Sequence, residues 1–216
     1  VDYTYDHDGI RVGKTINGRD DVKYLVDVNR PYAQVIEEEW TSGGLSATTS
    51  YVYGHGLVSQ NIDGSHRFYH YDGFHNTRSL TDMNGAVTDS YRYDAYGTQL
   101  NQTGSTQNPY RYRGEQFDAE TDSYYLRARY YQPSTGRFLR TDPVEGDPSH
   151  PMTLHRYLYG NNDPVNHIDP SGKISISEML MLSGEIGALS AMGWYYGIFF
   201  KNSMPKSQIG FLMLGY

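Results

Sequence analysis

The sequence has no cysteine, so neither a disulfide framework nor a thiolate metal site is available to it. It is also short of basic charge: 18 Lys and Arg stand against 25 Asp and Glu, for a net charge of −7 over 216 residues. That balance argues against holding nucleic acid through a broad basic surface. No signal-peptide pattern follows Val1, and no phosphate-cradling glycine loop, Gly-x-Ser-x-Gly elbow or HExxH is found. A first residue other than Met reads as a piece of a longer chain. Eight histidines are present, but none pairs at a metal-ligand spacing with a supporting carboxylate. No metal and no cofactor is therefore expected.

What the chain does have is 22 Tyr and 23 Gly, against 7 Phe and 2 Trp. Tyrosine favours strands and suits half-wet surfaces, and glycine at this frequency without a collagen period signals many tight turns. The tyrosines recur in pattern. "YTYDHDG" at Tyr3 returns as "YRYDAYG" at Tyr91, with looser copies at Tyr69, Tyr51 and Tyr110. Two tyrosines one residue apart lie on the same face of a strand, and the Asp after them can bond backbone amides and open a turn. Thr81 to Gly85 reads as a hairpin turn between two strands. An all-β chain of strand–turn units follows, each burying its tyrosines only when stacked on the next. An ordinary antiparallel sheet domain with tyrosine-rich strands would give the same pattern. The run Glu37-Glu38-Glu39 reads as a solvated charge cluster.

These repeats resemble the tyrosine–aspartate (YD) repeat of Rhs proteins, of the C components of insecticidal Tc toxins and of teneurins. The resemblance covers Tyr3 to about Gly172, with a poor match from Arg19 to Gly44, where an insertion or irregular strands are expected. The stretch Tyr124 to Gly172, with "LRARYYQPSTGRFLRTDP", "YLYGNNDPVN" and "DPSG", is similar to the Rhs-associated core. The resemblance implies a β-ribbon spiralling into a shell over residues 1–123, closed by a core over 124–173. A variable payload over 174–216 follows.

It also implies a single-turnover aspartyl protease that cuts its own chain. Carried over by motif, Asp142 in "FLRTDP" and Asp169 in "HIDPSG" are the carboxylates, Arg129 in "ARYY" is the supporting cation, and the cut falls between Lys173 and Ile174. The chemistry needs such a set. One carboxylate must activate water while the other protonates the leaving group, and two carboxylates in one site divide one proton between them. An arginine stabilises the ionised member and the oxyanion. Tethering supplies effective molarities of about 10⁵ M or more. Read singly, each aspartate is a turn or capping residue, and Arg129 could stack on a tyrosine or pair structurally. Asp147 and Asp163, in further Asp-Pro pairs, are assigned to turns. Family members that cut typically carry a leucine-like residue where this chain has Lys173, and a poor fit there would cost about 1–3 kcal/mol of positioning.

Beyond Lys173 the sequence turns apolar. Ser175 and Glu178 have capping-box spacing, so a helix is expected to start there. Leu180 to Phe200 is long enough to cross a bilayer, although Glu185 interrupts it, and Gly193 and Gly197 form a G-x-x-x-G pair. The tail reads either as a small membrane-active payload or as a helix packed inside the shell. Expected partners are the payload itself, the remaining shell or a secretion component, an immunity protein, and a membrane through the tail. The expected location is that of a secreted or delivered effector, or a cell surface. Two alternatives stand beside the toxin: a non-enzymatic carbohydrate-binding adhesion module, and a membrane-anchored shell protein.

Overall fold

The computed structural model describes residues 1–146, 148 and 151–173, and the backbone of Ile176–Ser177. Ten strands follow one another as a simple antiparallel meander, each paired with its chain neighbours. They are β1 (Asp2–Tyr5), β2 (Arg11–Ile16), β3 (Asp20–Asp27), β4 (Gln34–Ser42) and β5 (Leu45–Tyr53). Next come β6 (Leu57–Ile62), β7 (Ser65–Tyr71), β8 (Thr77–Thr81), β9 (Val87–Tyr93) and β10 (Gln99–Thr103). A second, four-stranded sheet holds β11 (Gln116–Asp118), β12 (Ser123–Leu126), β13 (Arg129–Gln132) and β14 (Arg137–Phe138). A two-stranded ladder pairs β15 (His167–Ile168) with β16 (Ile176–Ser177).

The repeat has a local physical cause that the structure shows four times over. After the tyrosine pairs at Tyr3, Tyr69 and Tyr91, and at the hairpin after Thr81, an aspartate carboxylate accepts two backbone N–H bonds, from the residues two and four positions on. Asp6, Asp72, Asp82 and Asp94 all do this, at 2.8–3.0 Å. The residue three positions after the aspartate then takes positive φ, as Gly9, Gly85 and Gly97 do, and as His75 does in the same place. Thr81 to Gly85 is such a turn, between β8 and β9, as its sequence predicts. The strand returning from each tyrosine pair carries one extra residue. Tyr5, Tyr53, Tyr71 and Tyr93 pair just beyond a register shift that leaves Val12, Val58, Arg78 and Leu100 unpaired.

The paired tyrosines share a face. Tyr51, Leu57, Tyr69, Leu80, Tyr91 and Tyr110 form one buried cluster, with Tyr53, Tyr71 and Tyr93 packed against it. The Tyr69 and Tyr71 rings stack at 6.0 Å. A second cluster, Tyr112, Tyr124, Leu126, Tyr131, Phe138 and Tyr159, lies under the four-stranded sheet. Arg11 of β2 joins the two sheets. It is 2% exposed, ion-paired with fully buried Asp118 of β11, and lies over the rings of Tyr3, Tyr24, Tyr125 and Tyr130.

Several expectations change. Over Arg19 to Gly44, β3 and β4 are long strands of the same meander, with one irregularity where the register shifts between Leu25 and Val26 and leaves Ile36 unpaired. The copy at Tyr110 is not a strand pair, because Tyr112–Gly114 is a 3-10 turn in which Arg113 takes φ 57°. The expected boundary between residues 123 and 124 falls inside β12, and the sheets part between Thr103 and Gln116. The ten-stranded sheet is open among the described residues, with β1 and β10 at its edges. Ile176–Ser177 is strand rather than the first turn of a helix. The rest of the tail, including Glu178, Glu185, Gly193 and Gly197, lies outside the described residues. No helix among the described residues is long and apolar enough to cross a membrane.

The acidic run is not uniformly solvated. Glu37 and Glu39 are exposed, but Glu38 points to the tyrosine face, where Gln116 Nε2 donates to its Oε1 at 3.2 Å. Burial pushes its carboxyl from 4.5 up to about 7, against the pull of a Tyr51 hydrogen bond and the Lys14 and Arg11 charges. A raised carboxyl pKa means that folding favours the protonated form. Its contribution is full below pH 4.5 and is lost as pH rises through about 7. Glu38→Gln should therefore gain stability relative to the parent as pH rises across that window. Urea midpoints measured for both chains from pH 4.5 to 7.5 check this, and a constant difference would reject it.

Candidate active site

The site begins with a hairpin. β12 and β13 pair with Leu126 opposite Arg129, so only Arg127 and Ala128 make the turn. Such a turn needs positive φ, and Arg127 supplies it at 56° where glycine or asparagine is usual. Arg129 is the first residue of β13. Its side chain is buried and its guanidinium carbon lies over Phe138, 3.6 Å from the ring centre.

That guanidinium gathers the site. Nη2 bonds Asp142 Oδ2 at 2.7 Å and Asp169 Oδ2 at 3.1 Å. Nη1 donates to the Arg156 carbonyl at 3.0 Å, and Nε donates to the Gly172 carbonyl. Burial pulls the Arg129 proton affinity below its ordinary value, and the two carboxylates oppose that pull. Asp142 is set by its own turn: its Oδ1 accepts from Val144 N at 2.8 Å, and its N–H donates to the Arg156 carbonyl at 3.0 Å. One carbonyl thus braces both Arg129 and Asp142.

Asp169 is 2% exposed and follows β15. Its Oδ1 accepts from Ser171 Oγ at 3.1 Å and from Lys173 N at 3.0 Å. Pro170 to Gly172 then lie across the β12–β13 turn. Gly172 takes φ +66°, and a Cβ there would stand 2.2 Å from the Leu126 carbonyl oxygen, so no other residue fits. The glycine of the Asp-Pro-x-Gly signature is in this sense a steric requirement of the hairpin beneath it.

The structure therefore brings Arg129, Asp142 and Asp169 together and carries the chain past them to Lys173, which is exposed. Ile174 lies outside the described residues. Asp163 is not part of the group; Asn166 binds its carboxylate in a separate turn, and Asp147 and His150 are not described. Among the remaining histidines, His70 bonds Thr81 and His75 stacks on Tyr71, while His155 is exposed. Asp6, His7 and Asp8 bring ligand-type atoms within 4.8 Å of one another, on a turn where Asp6 is already occupied by backbone N–H groups. Arg127 and Glu115 were missed by motif reasoning. Their ion pair, at 2.9 Å, borders the Asp-Pro-Ser-Gly loop, and the signal available in sequence was an arginine at a hairpin-turn position.

No protein-family model matches the chain. It is similar to the tRNA3(Ser)-specific nuclease WapA of Bacillus spizizenii, at 38% identity over 175 residues, which is 79% of this chain and 7% of that protein. It is 32% identical over 214 residues to salivary gland surface protein 1 of Aedes aegypti, covering 88% of this chain and 6% of that one. Toxin protein Tse5 of Pseudomonas aeruginosa is 32% identical over 133 residues, 58% of this chain and 9% of Tse5. Among solved structures, a chain of the TcdB2-TccC3-TEV crystal structure shares the fold, with TM-score 0.61 and 24% identity over 79% of this chain and 9% of that one. The chain belongs with the Rhs-type proteins represented by WapA, shares its fold with the TccC3 structure, and spans less than a tenth of these much longer proteins.

Proposed function

We propose that this chain is the shell-and-core end of an Rhs-type toxin, and that it cuts itself between Lys173 and Ile174. The observation that carries the reading is one buried guanidinium bonded at once to two aspartates and to the Gly172 carbonyl beside the junction. Two carboxylates meeting on one arginine are placed to divide the acid and base roles. In the reaction, the ionised carboxyl takes a proton from water as the water oxygen attacks the Lys173 carbonyl carbon. The protonated carboxyl gives its proton to the Ile174 nitrogen as the C–N bond breaks. The products are a new carboxylate at Lys173 and a new amine at Ile174, and the two aspartates have exchanged roles. Arg129 holds the charge throughout.

The ten-stranded sheet would then serve as shell and the residues from β11 to Lys173 as core, with 174–216 as the payload, an immunity protein and a delivery route outside the cell. The toxin and nuclease names of Tse5 and WapA support this reading. The similarity to a salivary gland surface protein supports a second one, an uncut surface or adhesion module. Intact mass of the purified chain under denaturing conditions tests both, since a surrounding shell would hold the pieces together in native buffer. Two masses joined at Lys173–Ile174 are expected, and a single full-length mass favours the uncut module. The Gly172–Lys173 bond has its carbonyl on Arg129 and its N–H on Asp169. A cut there instead would move the junction by one lysine and show in the same spectrum.

A further inference from the structure

Three consecutive residues of the β12–β13 hairpin grip three consecutive carbonyls of the junction. The Arg127 guanidinium donates to Pro170 O, Ala128 N donates to Ser171 O at 3.3 Å, and Arg129 Nε donates to Gly172 O. The last contact belongs to the site already described. The first does not, and it is the one with its own supports. Arg127 Nη1 also meets both Glu115 oxygens, at 2.9 and 3.0 Å, and its guanidinium lies over the Tyr32 ring at 4.6 Å.

We infer that Arg127 is a positioning residue for self-cleavage: anchored by Glu115 and Tyr32, it fixes the Pro170 carbonyl and so sets Asp169 and the following peptide units against Asp142. The inference rests on the autoproteolytic reading above. Its physical basis is the cost of the conformation. A non-glycine residue at φ +56° is strained, and such strain persists where the surroundings over-determine it. Glycine would relieve the turn but could not reach Pro170. Tyr32 lies between β3 and β4, so the anchor also draws on the ten-stranded sheet. Asp169 itself cannot choose its own position, because the Asp-Pro-Ser-Gly backbone bends through it. Holding the Pro170 carbonyl restrains the backbone movement that would carry Asp169 away from Arg129.

The test follows the full chain during cell-free synthesis, with samples quenched in denaturant and the cut fraction read by mass. Arg127→Met should slow cutting on the order of 10²-fold, the loss expected from misplacing a reacting group by about 1 Å. Arg127→Lys, which keeps a donor for Pro170 O, should recover part of that rate. Because Arg127→Met leaves Glu115 unpaired, a double variant with Glu115→Leu and Arg127→Met removes both charges together and protects the fold. Folding is checked by thermal melting on chains that also carry Asp169→Asn and stay whole. Slow cutting in the double variant with an unchanged melt, and partial rescue by lysine, supports the inference. Parental cutting in a folded double variant overturns it alone. A parental chain that never cuts overturns the autoproteolytic reading and this inference with it.

Discussion

Asp169→Asn should leave the chain whole. The substitution keeps the shape of a side chain that is 2% exposed and accepts from Arg129 Nη2, Ser171 Oγ and Lys173 N. What it removes is the ability to take or give a proton, and hydrolysis by a carboxyl pair requires both members. Asp142→Asn should fail for the same reason, since Asp142 shares the same guanidinium nitrogen. Asp163→Asn is the control: its carboxylate is engaged by Asn166 in another turn, and that chain should cut like the parent. Intact masses of the three variants, taken in denaturant, decide the matter. Cutting that survives Asp169→Asn takes that residue out of the mechanism.

The largest loss of stability should come from the far side of the second sheet. Asp118→Ala strands the Arg11 guanidinium, which is 2% exposed and has Asp118 as its ion-pair partner. Gln116 Oε1 still accepts from Arg11 Nη2 at 2.7 Å, but a neutral amide does not balance the charge. Burial works against the Arg11 charge, and Asp118 together with Tyr24 and Tyr130 offsets it, so the guanidinium holds its proton more firmly than usual. Breaking one side of a buried pair costs about 3–5 kcal/mol, whereas replacing both sides by apolar residues is often neutral. Asp118→Ala should therefore shift the urea midpoint strongly, and Arg11→Met with Asp118→Leu should recover most of the shift. Equal losses in the single and double variants would mean that packing, rather than charge, is what matters there.

The sequence made the strands and turns legible because their causes are local. A tyrosine pair, an aspartate and a residue at positive φ settle a hairpin within a few residues at Asp6, Asp72 and Asp94, and the same aspartate turn recurs without the tyrosines at Asp82. Arg129, Asp142 and Asp169 were named by motif resemblance and meet in space, although periodicity alone would have left each as a turn or strand residue. Glu38 was misread because a run of three acids hides the alternation of a strand, which sends the middle one to the opposite face. Arg127 and Glu115 were missed because their partner is a carbonyl 43 residues away for one and each other for the rest. The Arg19 to Gly44 stretch matched poorly because it has no tyrosine pair, yet it pairs into the same meander with one register shift at Leu25–Val26.

The extra residue in each returning strand bears on how such a chain can change over generations. Val12, Val58, Arg78 and Leu100 each sit in the same place relative to a tyrosine pair, so every hairpin that follows such a pair carries its own turn and its own register correction. Copying or deleting a whole hairpin leaves its neighbours' alternation intact, and the sheet grows or shrinks in whole units. Adding or losing one residue within a returning strand turns every later side chain of that strand to the wrong face, with tyrosines outward and polar groups inward. Recombination between hairpins is thereby forgiven, and a single-codon slip is not. The sheet can lengthen by inheritance of finished pieces, at the same grain as the motif that first made it visible in the sequence.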